Sequence, residues 1–274
     1  MTEPLSSSTT EPLARAPDIR ELETKVKDLY QQVATAPDGA FHFELGRPLA
    51  ERLGYPAAVL DGLPAEAVES FAGVGHALDL AALQPGERVL DLGSGSGTDA
   101  FCAALAVGPA GRVIGVDFTP AQLDKARRLA RDGGFDRVEF REGRIEELPV
   151  ADTEVDCVIS NGVINLSPDK PRVFSEAARV LRPGGRLAVA DLVTERPLGD
   201  AITAQADLWA SCIAGAAQED TYRHMIETAG LRVERTCPNP YDFLSERARN
   251  ASARYGVKSI SLLAVKPRTP GGVS

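Results

Sequence analysis

The chain contains no uninterrupted apolar run of about 18 residues, so no transmembrane helix is expected and no membrane partner is assigned. Cysteine is scarce: the four thiols stand at 102, 157, 212 and 237, and none forms a Cys-x-x-Cys pair. With 274 residues and only three histidines, neither a disulfide framework nor a structural zinc site is expected, and no metal is assigned. The same cysteine usage points to a reducing, cytoplasmic setting. Basic charge is in deficit, with 30 Lys plus Arg against 39 Asp plus Glu and a formal net charge of −9. That balance argues against nucleic acid as a partner, because a phosphate backbone needs clustered cations. Residues 1–17 are polar, lack the apolar stretch of a signal peptide, and read as a disordered tail.

The composition, 43% hydrophobic and 25% charged, suits a globular chain with a large core. Residues 18–83 read as a helical cap. Leu22, Val26, Leu29 and Val33 have helical spacing, and 41–63 and 65–71 look like further short helices interrupted by Gly and Pro. Residues 84–267 change character: apolar runs at 88–92, 113–117, 137–141, 155–160 and 186–193 alternate with helical segments at 99–107, 120–130 and 170–181. Thr119 is placed as the N-cap before Pro120. Helices are expected over 202–217 and 220–229, and strands over 231–236 and 259–265 should close an antiparallel hairpin at one edge. Residues 268–274 form a polar tail. The alternation predicts an α/β fold, a mostly parallel sheet with helices on both faces.

The most informative segment is Val89-Leu90-Asp91-Leu92-Gly93-Ser94-Gly95-Ser96-Gly97, which follows a strand and opens a helix. Glycines let backbone approach a ligand, and the helix start offers free N–H groups to a negative group. A dinucleotide site is the rival reading. Against it, the spacing is G-x-G-x-G, not G-x-G-x-x-G, and Asp91 precedes the first glycine by two residues, where a pyrophosphate gains nothing from an anion. Asp91 suits a loop that meets an ammonium group. Asp117 ends the next strand, where a carboxylate accepts from ribose hydroxyls. An amino-acid head plus a ribose without pyrophosphate describes S-adenosylmethionine.

On these residues, and on the Leu181-Arg182-Pro183-Gly184-Gly185 turn, the stretch from 84 to 193 resembles the class I S-adenosylmethionine-dependent methyltransferases. The resemblance implies a Rossmann-like sheet of seven strands, six parallel and one reversed, with S-adenosylhomocysteine as the spent cofactor. It carries Gly93, Ser94, Gly95 and Asp91 to the methionyl part, Asp117 to the ribose and Phe118 to the adenine face. Ile145 is expected to pack on the purine, Glu146 to accept from its edge, Asn161 to stand beside the sulfonium, and Tyr30 to close over the cofactor.

Ser160-Asn161-Gly162-Val163-Ile164-Asn165-Leu166-Ser167-Pro168-Asp169-Lys170 is more specific still. It resembles the arsenite methyltransferases, as do Leu208 to Ala216 and Gly73-Val74-Gly75-His76. Three thiolates suit soft trivalent arsenic. Of the three pocket cysteines the resemblance implies, only Cys212 is kept; Val74 and Gly162 stand at the others and are expected to make the pocket apolar and roomier. Cys102 and Cys157 read as buried core. The expected substrate is therefore a small organic molecule, with an arsenical as the alternative and a non-methylating, cyclase-like role as a third class. His76 and Cys212 are the candidate catalytic residues; His42 and His224 are weaker candidates. The sequence sets neither the acceptor nor the oligomeric state.

Overall fold

The computed structural model describes residues 19–199, 214–244 and 246–268. The tail 1–17, Trp209 and Cys212 lie outside them. Apolar residues recur along one face of α1 (Ile19–Thr35), burying Leu22, Val26 and Val33. Four short helices follow, α2 (Gly46–Arg52), α3 (Ala57–Leu60), α4 (Ala65–Glu69) and α5 (Ala77–Ala81). The sequence suggests short helices broken by Gly and Pro here, and Pro56 and Pro64 take N-cap positions that divide the segment, since proline cannot continue a preceding helix. The five-residue α5 was not anticipated.

Then come β1 (Arg88–Leu92), α6 (Thr98–Val107), β2 (Arg112–Asp117), α7 (Pro120–Asp132), β3 (Val138–Glu142) and β4 (Val155–Asn161). A 3-10 turn (Ile164–Leu166) leads to α8 (Lys170–Val180) and β5 (Leu181–Thr194). The described chain closes with β6 (Ala217–Gln218), α9 (Glu219–Thr228), β7 (Arg232–Pro238), α10 (Glu246–Tyr255) and β8 (Lys258–Val265). Residues 202–213 of the helix expected over 202–217 lie outside the described residues; at its expected end Ala214 and Gly215 form a turn, and Ala217–Gln218 pairs with the end of β5.

The sheet order is β3-β2-β1-β4-β5-β8-β7, with the two-residue β6 beside β5. β1 to β5 pair in parallel, and β8 runs antiparallel to both β5 and β7. One reversed strand is what the sequence suggested. The closing pair differs in that α10 fills its connection. Central strands such as β1 are buried on both faces, which is why they read as continuous apolar runs. On one face, Phe101 and Leu123 of α6 and α7 share a single apolar cluster with Leu49, Tyr55 and Phe71, so the N-terminal helices are fused to the sheet core. The other face packs Leu90, Leu92 and Val158 against Phe174 and Tyr222. Among the described residues no helix is long and apolar enough to cross a membrane.

Candidate functional site

The loops leaving the carboxyl ends of the parallel strands, together with α1, enclose a cleft of about 1100 Å³ including its open mouth. Its glycine loop needs its glycines. Gly93, Gly95 and Gly97 have φ of 66°, 51° and 98°, and a Cβ on Gly93 would stand 2.5 Å from both methyls of Val163. The loop is tied from below: the N–H groups of Gly93 and Ser94 donate to Val116 O at 2.8 and 3.0 Å. Gly95 N–H donates to Asp117 Oδ2 at 2.9 Å, and Thr119 N–H to Asp117 Oδ1 at 2.8 Å. Asp117 therefore fastens two loops at once. Thr119 is the N-cap of α7, but its side chain makes no capping bond.

Three carboxylates gather here, Asp91 and Asp117 buried and Asp99 half-buried. Asp91, Asp99 and Asp117 all line the cleft, and burial pushes each of their pKa values up. Asp99 and Asp117 add to the rise at Asp91 by charge repulsion. None of the three forms an ion pair with a lysine or arginine among the described residues. Asp91 Oδ2 and Ser94 Oγ are buried without a hydrogen-bond partner among those residues. Such groups are costly unless a ligand satisfies them.

All ten residues expected to hold the cofactor line this one cleft. Their details differ from expectation. Glu146 accepts from Ser167 Oγ at 2.5 Å, so one of its oxygens is engaged by the protein. The side chain of Asn161 is turned into the protein: its Oδ1 accepts from Val74 N and Gly75 N at 2.8 and 3.2 Å. Its Nδ2 donates to Gly75 O at 2.9 Å and Asp99 Oδ2 at 3.0 Å, with Tyr55 OH at 3.1 Å. Tyr55 OH in turn donates to Asp99 Oδ1. Asn161 thus fastens the 73–75 loop to the end of β4.

The candidate catalytic residues fare differently. His76 does not line the cleft; its ring lies against Tyr55, 4.1 Å between centroids, and burial lowers its pKa. Cys212 lies outside the described residues. His224 is exposed on α9, and His42 sits edge-on to Phe43 at 4.6 Å with its pKa lowered by burial. Cys102 and Cys157 are buried, as read, and burial pushes the Cys157 thiol up to about 12. Among the described residues no group of His, Cys, Asp or Glu is arranged to hold a metal ion. The expected roomier pocket needs correction. Val74 is buried and does not line the cleft, and a Cβ on Gly162, where φ is 73°, would stand 3.3 Å from Val74 Cγ1. Val74 fills space that a side chain at 162 would require.

Sequence reasoning missed Asp99, Tyr55, Gln122 and Lys125. An acidic residue in a first helical turn is ordinary, so Asp99 carried no signal. Gln122 and Lys125 bind α1 across the cleft: Gln122 Nε2 donates to Tyr30 O at 2.9 Å, and Lys125 Nζ to Ala34 O at 3.0 Å and Ser70 Oγ at 2.7 Å. Arg144 pairs with Glu23 of the same helix at 2.6 Å, and Lys27 Nζ stands 5.0 Å from the Phe118 ring centre.

A doubly wound sheet with a glycine cradle and an acid at the end of the next strand defines a nucleoside-binding α/β domain of the methyltransferase type. The chain belongs to the methyltransferase-domain family, whose model matches residues 83–230. It is 46% identical over 189 residues to an arsenite methyltransferase of Halobacterium salinarum, across 69% of this chain and 48% of that one. The chain thus spans about half the length of that relative. A crystal structure of an arsenic(III) S-adenosylmethionine methyltransferase from Chlamydomonas reinhardtii superposes with a TM-score of 0.61 at 33% identity, covering 84% of this chain and 77% of that one. A geranyl diphosphate C-methyltransferase from Streptomyces coelicolor A3(2) shares the fold, with a TM-score of 0.64 at 20% identity over 92% of this chain and all of that one.

Proposed function

We propose that the chain binds S-adenosylmethionine in this cleft and methylates a small molecule, releasing S-adenosylhomocysteine. The observation that carries the reading is the pairing of a left-handed glycine loop with Asp117, which grips that loop and lines the cleft. The residues fit the cofactor: Asp91 Oδ2 and Ser94 Oγ are buried and unpartnered among the described residues, so an amino-acid head would satisfy them. Asp117 would accept from the ribose, and Phe118 and Ile145 would flank the adenine. When bound, the cofactor supplies a methyl group already activated by its sulfonium. The chain aligns the acceptor and excludes water by closing α1 over the cleft.

The acceptor we favour is organic. No described cysteine lines the cleft, and Val74 and Gly162 offer no thiolate. An arsenical acceptor is the second reading, supported by the 46% identity to an arsenite methyltransferase. Incubation with trivalent arsenic and a thiol, followed by arsenic speciation, separates the two: methylated arsenic supports the second reading, and its absence supports the first. The cofactor assignment is tested by titration calorimetry. Asp117→Ala should weaken binding of both cofactor forms by about 100-fold, since hydrogen bonds to a charged group contribute roughly 1.5–3 kcal/mol each. Equal binding by wild type and variant would overturn it.

A further inference from the structure

The cofactor cleft lies at the carboxyl ends of the parallel strands; the amino ends of β1, β2 and β3 carry a second feature. The connection from β3 to β4 contains no helix, and beside these strand starts lies a groove of about 1150 Å³ including its open mouth. Arg88 opens β1 and stands in register with Arg112, which opens β2. Ile114 stands in register with Glu139 of β3, so two residues earlier Arg112 stands beside Arg137, and Val113 N–H donates to Arg137 O at 3.0 Å. Three neighbouring chain segments thus present one arginine each on the face of Leu90 and Ile114, and all three line the groove. Strands lie about 4.8 Å apart, so the row spans about 10 Å.

The acids around the row have other engagements. Arg141 Nε and Nη2 donate to the two oxygens of Glu139 at 2.8 and 2.9 Å, and Arg112 acts on Glu139 through charge alone. Glu154 Oε2 accepts from Ala151 N at 2.8 Å. Asp156 accepts from Arg88 N at 2.7 Å and from Arg182 Nε. Asp136 is exposed and forms no ion pair among the described residues. The side chains of Arg88, Arg112 and Arg137 form no ion pair or hydrogen bond among those residues. Like charges side by side in a sheet destabilise it, yet this row stands in a chain whose net charge is −9. An anion lying across the row removes that repulsion. A guanidinium presents a planar fork that fits phosphate oxygens in pairs. One phosphate group reaches two neighbours of the row, whereas a chain of phosphates reaches all three. We propose that this groove is a second ligand site, separate from the cofactor cleft, and that it takes an oligophosphate whose chain lies across Arg88, Arg112 and Arg137. Buried Ile114 and Val155 give the groove an apolar floor for a nucleoside joined to that chain. The inference does not depend on the cofactor reading.

The experiment is titration calorimetry on the whole chain with orthophosphate, pyrophosphate, tripolyphosphate and ATP, each with and without S-adenosylhomocysteine. Affinity should rise from orthophosphate to tripolyphosphate, fall with added salt, and be the same with S-adenosylhomocysteine present. Arg112→Gln should weaken tripolyphosphate binding about tenfold, and Arg112→Lys, which keeps the charge but not the fork, should recover only part of the loss. Arg137→Gln, placed before β3 begins, should give the same loss and serves if the Arg112 variants do not fold. Tighter binding of ATP than of tripolyphosphate would support a nucleotide as the ligand, and equal binding the phosphate chain alone; either outcome supports the arginine row as the site. No binding of tripolyphosphate at millimolar concentration, or undiminished binding in Arg112→Gln and Arg137→Gln, would overturn the proposal. So would displacement by S-adenosylhomocysteine, which would put the phosphates in the cofactor cleft.

Discussion

Single residues in the cleft are constrained by backbone as much as by chemistry. Gly93 combines a left-handed φ of 66° with the 2.5 Å approach of both Val163 methyls. Gly93→Ala forces Val163, itself stiff at Cβ, out of the cleft wall. The strain should cost about 2 kcal/mol and lower the thermal midpoint by about 5 °C, with a larger loss of cofactor affinity than of stability. Differential scanning fluorimetry with and without S-adenosylmethionine reads both; an unshifted midpoint would show that the loop relaxes freely. Gly95 provides the contrast, since the nearest atom to a Cβ there is the Gln122 amide at 3.8 Å, so φ alone opposes substitution.

At the scale of elements, α1 is the part whose position matters most to ligand exchange. It lies on the cleft through contacts of unequal strength. The Glu23–Arg144 pair is substantially exposed, with side chains 26% and 43% accessible, so solvent screening leaves it worth little. Arg144→Ala should therefore raise KM for the cofactor by no more than about threefold. Lys125 binds more deeply, donating to Ala34 O at the end of α1 and to Ser70 Oγ, which itself donates to Val33 O at 3.0 Å. Lys125→Met removes both hydrogen bonds and leaves the acceptors on buried Ala34 and Ser70 without that donor, at about 1–3 kcal/mol. Cofactor affinity should fall by about tenfold, more than in the Arg144 variant. The reverse order in a binding titration would mean that the ion pair, not the lysine, holds the helix. The α8 end of the cleft is anchored differently. Asp191, buried in β5, accepts from Asn165 N at 2.9 Å and Tyr222 OH at 2.8 Å, fixing the 3-10 turn whose Leu166 lines the cleft.

For the whole molecule, the concentration of buried acids sets a pH dependence. Asp91, Asp99 and Asp117 have pKa values raised chiefly by burial, and Asp191 is pushed up to about 6 by the same cause. A carboxyl whose folded value exceeds its unfolded one binds more protons folded than unfolded between the two. Its stabilising contribution is complete below the unfolded value of 3.8 and is lost as pH rises through the folded value. Acids held low by partners, such as Glu176 beside Arg179, have the opposite sign, but act below their ordinary value of 4.5. Lys170, lowered to about 8 by burial, also has the opposite sign and acts above that value. The cofactor-free protein should therefore lose thermal stability as pH rises from about 4 through about 6, the interval Asp191 sets, opposed near its upper end by His42 and His76, whose pKa values burial lowers. The slope should be shallower in Asp91→Asn and with S-adenosylmethionine bound. Midpoints that rise over this interval in all three samples would contradict the burial of uncompensated acids.

The same three scales separate what could be read from the chain alone. The glycine loop, Asp117 and the strand–helix alternation were legible because each rests on near neighbours: a turn needs its own glycines, and a strand its own apolar run. At 41–71 the short helices broken by Gly and Pro were legible, but not their ends, because periodicity alone does not say where between two breaks a helix begins. Only folding brought Asn161 to the 73–75 loop, 86 and 87 residues away, and Tyr55 to Asp99 across 44 positions. It also seated Val74 against Gly162 and moved β8 between β5 and β7. The amino-acid order by itself determined the glycine loop and its partner acid, on which the proposed cofactor rests, because these depend on local backbone shape and one acid a strand away. The tertiary structure decided which acids go without a counter-ion, because desolvation and pairing are sums over neighbours that the order of residues does not contain.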